Sequence, residues 1–161
     1  GQRKIELGGS QNPEELLGKL ESGREQLETA FPDSYLDILV PPWNRIDPAV
    51  VSVLPRMGYQ RLSLLGPRPS RDRGLKELNV HVDIIDWKTR AFVGEAVALQ
   101  RIISHLRARR TGEADSCEPT GIMTHHLVQD ESCWDFLRDF FAYLPSQAGL
   151  IWLGGEQLLS V

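Results

Sequence analysis

Along this chain, short apolar runs alternate with stretches that carry helix-start signals, and this alternation limits the fold more than any other feature. Strands separated by helices build βα units and a mostly parallel sheet. The first helix signal is Asn12-Pro13-Glu14-Glu15: an Asn cap, proline at the first helical position, and Glu three residues after the cap. Leu16, Leu17, Leu20 and Leu27 continue it as an apolar stripe, and Phe31-Pro32-Asp33 closes it. LDILV at 36–40 reads as a short buried strand stopped by Pro41-Pro42. Asp47-Pro48 repeats the cap-plus-proline signal, with Val50, Val51 and Leu54 as its apolar face and Gly58 as its end.

YQRLSLL at 59–65 is a predicted strand, followed by a polar loop over 66–77. In LNVHVDII at 78–85, Leu78, Val80 and Val82 alternate with Asn79, His81 and Asp83, as in a strand. Gly94 to Arg110 is a predicted helix with Val97, Ile102, Ile103 and Leu106 on its buried side. A loop at 111–119 leads to a strand around 120–126. Trp134, Leu137, Phe140, Phe141 and Leu144 are spaced for a further helix, and LIWL at 150–153 reads as a last strand. The fold expected is α/β, with mostly parallel strands alternating with helices over one domain spanning 1–161. Such a sheet can curl into a barrel. A complete eight-unit barrel takes ~250 residues, so 161 residues supply only part of one.

Composition excludes some classes of function. The chain is 41% hydrophobic and 25% charged, which suits a globular core. Its net charge of −4 and pI near 5.6 lack the basic excess of nucleic-acid binders. Arg107, Arg109 and Arg110 close a predicted helix, where they complement the negative end of its dipole. Arg68, Arg71 and Arg73 read as solvated loop residues. No apolar run approaches the ~20 residues that span a bilayer, so no membrane partner is expected. The first residue is Gly, which reads as a processed or cleaved start. Cys117 and Cys133 do not form a close ligand pair, and two isolated thiols favour a reducing, cytoplasmic setting.

The chemistry gathers at two strand ends. Asp83, Asp86 and Trp87 end one apolar run, and His125 and His126 end another. In α/β folds, functional groups cluster where strands pass into loops. A carboxylate bonded to one imidazole nitrogen fixes the tautomer and raises the ring's basicity. The other nitrogen can then pass a proton to a leaving group. The same residues also suit a plain strand-ending turn, with one histidine exposed and the other buried. VPPWNRI at 40–46 is a second candidate, with Trp43 as a flat pocket wall and Asn44 and Arg45 as donors, or else a rigid turn. His81 precedes Asp83 by two and should share its face of the strand. His105 reads as a surface or capping residue, and Trp134 and Trp152 as core. A metal needs three or four converging ligands. Adjacent His125 and His126 point to opposite strand faces, so no metal ligand is assigned to this chain.

In order, PPWN at 41–44, DIIDW at 83–87 and GIMTHH at 121–126 resemble motifs of the polysaccharide deacetylase family. These are metal-dependent carbohydrate esterases and de-N-acetylases, common in bacteria, built on a distorted (β/α) barrel. The family's D-x-x-D-W motif is matched by Asp83 to Trp87, and its apolar-x-His motif by Met123-Thr124-His125. The resemblance runs from about Leu36 to Trp152. It implies that Asp86 orients His125 and that His125 is the general acid. It also implies that Trp87 and Met123 wall an acetyl-binding groove beside Asp83, with Pro42 and Trp43 lining the site opposite. Val40 stands where the family has an arginine, and the family's first two motifs, which carry the base and the metal ligands, are absent.

The resemblance thus implies the C-terminal part of a deacetylase-like hydrolase acting on a carbohydrate or an acetylated small molecule. Zinc or another divalent metal is expected in a complete member, and neither tight zinc binding nor activity is expected of this chain alone. The alternative is a non-catalytic carbohydrate-binding or assembly module that has lost the metal half. Part of a barrel exposes sheet edges, so a homo-oligomer through the 36–40 edge is also expected.

Overall fold

The computed structural model describes residues 5–9, 11–69 and 75–161. Where the sequence reads as one domain, contacts group these residues into two compact units. One comprises the described residues of Gly1–Leu64 and Pro69–Leu78, the other Leu65–Arg68 and Asn79–Val161.

In the first unit, helix α1 spans Pro13–Ala30, and Asn12 Oδ1 accepts the Glu14 N–H at 3.0 Å. Arg24 Nε on α1 donates to Asp37 Oδ1 at 2.8 Å. This ties the helix to the residue preceding strand β1, Ile38–Leu39. A second proline-started helix, α2, spans Pro48–Val51, with Asp47 Oδ1 accepting the Ala49 N–H. A 3-10 turn at Leu54–Met57 ends on Gly58 at φ 92°, a left-handed conformation that glycine adopts without a Cβ penalty. Strand β2, Arg61–Leu62, then pairs parallel to β1, with Ile38 opposite Arg61. The core is Val51, Leu54, Tyr59, Leu62 and Leu75.

The second unit holds strands β3 (Val82–Asp83), β4 (Ile85–Asp86) and β5 (Ala91–Phe92), helix α3 (Glu95–Thr111), strand β6 (Ile122–Met123) and helices α4 (Glu131–Tyr143) and α5 (Gly155–Leu158). β3 pairs parallel to β6, and β4 antiparallel to β5. Val82, Ile84 and Ile85 meet Ala98 and Ile102 of α3 and Cys133, Phe136, Leu137 and Phe140 of α4. The α4 positions fall at i, i+3, i+4 and i+7, one helical face. Phe136 stacks on Phe140 at 5.5 Å and meets Phe92 at 5.2 Å.

Among the described residues the strands form three two-stranded ladders, two parallel and one antiparallel. Several expectations for single elements change here. The buried residues of α3 are Ala98, Ile102 and His105, while Val97, Ile103 and Leu106 are exposed. The stripe turns because His105 has a stacking partner and goes inward. Trp134 and Trp152 are about half exposed, not core, and Cys133 is the residue beside Trp134 that faces inward. LIWL at 150–153 is not a strand. Leu150, Ile151 and Trp152 are exposed, and Trp152 meets Phe141 edge-on at 5.4 Å. Both cysteines are free thiols. Among the described residues no helix is long and apolar enough to cross a membrane.

Candidate functional site

The β3–β6 register places Asp83 opposite Met123, and His125 follows two residues later, just past the strand. Asp83 ends β3, and its carboxylate turns back onto the chain that follows. Asp83 Oδ1 accepts the Ile85 N–H at 3.0 Å and lies 3.2 Å from His125 Nε2. Asp83 Oδ2 accepts the Trp87 indole N–H at 2.8 Å. The Trp87 and His125 rings meet edge-on, 4.7 Å apart at 84°. The Arg101 guanidinium of α3 donates to the Asp83 carbonyl oxygen. Asp83 is thus held by three side chains and a turn, and its side chain is 14% exposed against 23% for His125. With Nε2–H on Asp83, His125 Nδ1 is the basic nitrogen, and among the described residues nothing bonds to it.

The carboxylate on His125 is therefore Asp83's and not Asp86's, which corrects the role expected for Asp86. Asp86 Oδ1 instead accepts the Lys88 N–H at 2.9 Å, and its carbonyl accepts the Arg90 N–H at 2.7 Å, closing the β4–β5 hairpin. The reason is geometric. Residues three apart in extended chain leave on opposite faces, so only one aspartate of D-x-x-D can face a given partner. His126 is exposed. Met123 is brought to Asp83 by the register, and Trp87 by its hydrogen bond. Pro42 and Trp43 belong to the first unit, where both are exposed and the Trp43 indole N–H donates to Glu6 Oε1 at 2.8 Å. Trp43 and Asn44 are left-handed, at φ 60° and 53°. A cleft of about 420 Å³ in that unit is lined by Asn44, Arg45, Ile46, Val51, Leu62 and Glu77, among others.

A second polar cluster lies inside the same unit as Asp83. His81, just before β3, stacks on His105 of α3, the ring centroids 3.6 Å apart at 18°. The side chains of His81 and Glu118 are 2% and 0% exposed, and His81 Nε2 lies 3.3 Å from Glu118 Oε1. The Gly121 N–H donates to His81 Nδ1 at 3.1 Å. His105 Nδ1 sits 3.0 Å from Thr120 Oγ1, which also accepts from Arg109 at 3.3 Å. Both carboxylate oxygens of Glu118 accept the Arg68 N–H. Arg68 is not the solvated loop residue the sequence suggests: its side chain is 9% exposed and bonds Asp115 at 2.7 Å. Arg71 and Arg73 lie outside the described residues. Burial pushes both imidazoles down to about 4, helped at His81 by the Arg109 and Arg68 charges and at His105 by His81. Burial raises Glu118, against the pull of the Arg68 N–H.

His105 and Glu118 were not legible as site residues. One signal existed: His105 is three residues past Ile102 and seven past Ala98, on the buried stripe. His81 and Val82 are both buried, so alternation along β3 conveys no inside and outside.

His81, His105 and Glu118 offer three potential ligand atoms within 4.8 Å of one another. Among the described residues, His81 Nε2 and His105 Nε2 are buried without a hydrogen-bond partner, as ligand atoms would be, yet three features work against a divalent metal. His81 Nδ1 accepts the Gly121 N–H, so the neutral ring carries its proton on Nε2, the atom facing Glu118. The two ring planes are nearly parallel, 18° apart with centroids at 3.6 Å, so an ion in the plane of one ring lies out of the plane of the other. The Arg109 charge reaches both rings and the Arg68 charge reaches His81, and both would repel a cation.

Comparison with models of known families, with curated proteins and with solved structures finds no match to this chain.

Proposed function

We propose that this chain carries the proton-donating side of a deacetylase-like hydrolase that removes acetyl groups from a carbohydrate or a related amide or ester. The observation that supports it is the His125 Nε2 to Asp83 Oδ1 contact at 3.2 Å, with the Trp87 indole clamped to the same carboxylate. Asp83 keeps the Nε2 proton and stabilises the imidazolium, and Nδ1–H is the proton given to the leaving amine or alcohol. The half-exposed Trp87 ring supplies an apolar wall for an acetyl methyl group. In complete members of the family that the chain resembles, carbonyl polarisation would be supplied by zinc or another divalent metal. The donor set near His81 does not fit one, so no step here passes through it. That misfit favours the second reading, a non-catalytic carbohydrate-binding module using the same Trp87 surface.

NMR titration with acetylated chito-oligosaccharides, read at the Trp87 indole N–H and at the His125 ring, separates the readings. Shifts at both, with those of His125 lost in Asp83→Asn, support the hydrolase. Shifts at Trp87 alone leave the binding module. Shifts at neither would remove both.

A further inference from the structure

We infer that the buried His81–His105–Glu118 cluster is the positioning element of the Asp83–His125 pair, acting through the register of β3 against β6. The inference rests on reading that pair as the working site. Each of these strands is two residues long, and an isolated two-stranded ladder is marginal in water. Their register therefore needs help from outside the ladder. A one-residue slip would flip Asp83 to the other face and take it off His125.

Two clamps supply that help. The first is Gly121. Its carbonyl accepts the His81 N–H at 2.7 Å and the Val82 N–H at 3.1 Å, and its own N–H donates to His81 Nδ1. A Cβ at this position would stand 2.8 Å from the Asn79 carbonyl oxygen and 2.9 Å from Val80 Cα, so the approach is one only glycine permits. This clamp works while the His81 ring stays in place, and the ring is held by its stack on His105. The second clamp is α3. His105 grips His81, and Arg101, one helical turn earlier on the same face, grips the Asp83 carbonyl. One helix thus holds β3 at two points, two residues apart. Buried polar groups that fix register are a well-attested use of such clusters.

His81, His105 and Glu118 are positioning residues here, because none touches His125. NMR of the full chain without sugar tests the inference. In His105→Ala, exchange of the Trp87 indole N–H should rise about tenfold and the His125 ring protons should lose the shift imposed by the Trp87 ring. The amides of Phe136 and Leu137, in the core on α4, should stay protected. His105→Phe keeps a flat ring on His81 and should restore both signals. Should His105→Ala fail to fold, His81→Phe keeps a flat ring against His105 but removes the Nδ1 acceptor of the Gly121 N–H, and the same two signals should move. Unmoved Trp87 and His125 signals in the folded variant would overturn the inference. So would a His105→Phe variant that folds but restores neither. Moved signals in a protein that binds no sugar would keep the positioning role and end the hydrolase reading. Sugar binding with unmoved signals would do the reverse.

Discussion

At the scale of single residues, the carboxylate beside His125 is not the one that the resemblance implies. D-x-x-D-W was visible in the sequence, but the resemblance pointed to Asp86, whereas a spacing of three in extended chain lets only Asp83 meet His125. We expect Asp83→Asn to cost about 1–3 kcal/mol in urea unfolding, since the carboxamide cannot accept from Ile85, Trp87 and His125 together. Asp86→Asn, confined to the hairpin turn, should cost under ~0.5 kcal/mol. Equal losses from the two would show that the Asp83 contacts contribute nothing special. The buried histidines make a second residue-scale prediction. Their folded values lie near 4 against 6.5 for an unperturbed ring, so the unfolded chain binds more protons between those limits. Their contribution is fully present above pH 6.5 and is lost as pH falls toward 4. Glu118, raised by burial, works in the opposite sense. The urea midpoint should therefore fall from pH 6.5 to 4 in the wild type and fall less in His105→Phe. Parallel profiles would show that His105 does not titrate this way.

At the scale of elements, helix starts were legible because they are local chemistry. Asn12-Pro13 and Asp47-Pro48 name their own caps, and both side chains accept the hydrogen bonds that such caps accept. Which face of a helix is buried is not local. Apolar counting put Val97, Ile103 and Leu106 of α3 inside, but the helix turned to bury His105 against His81. It also mistook LIWL at 150–153 for a strand, because an apolar run says nothing about whether a neighbouring strand exists to pair with it. The corrected stripe has a sharp consequence. Ile102→Ala should cost about 2–5 kcal/mol by thermal or denaturant unfolding, as a core truncation does. Ile103→Ala, one residue on and half exposed, should cost under ~1 kcal/mol. A reversed order would restore the stripe read from the sequence.

At the scale of the whole molecule, the chain carries 22 acidic and 18 basic side chains, and the interesting part is where a few of them are hidden. Glu118 is fully buried beside two imidazoles, with the Arg68 N–H on its carboxylate and the Arg68 and Arg109 charges reaching His81. A ligand that binds only the folded state raises stability by about 2.7 kcal/mol at a hundred times its dissociation constant. Zinc bound at His81 would need Nε2 stripped of its proton, the Gly121 N–H left unpartnered, and a dication beside Arg68 and Arg109. Each of these costs free energy, and none is recovered by the stacked geometry. The melting temperature of the chain should therefore be the same with added zinc and with a chelator at pH 7. A zinc-dependent rise that disappears in Glu118→Gln would mean that the cluster rearranges around an ion, that its stacked imidazoles separate on binding, and that the metal half of the chemistry is built from these residues after all.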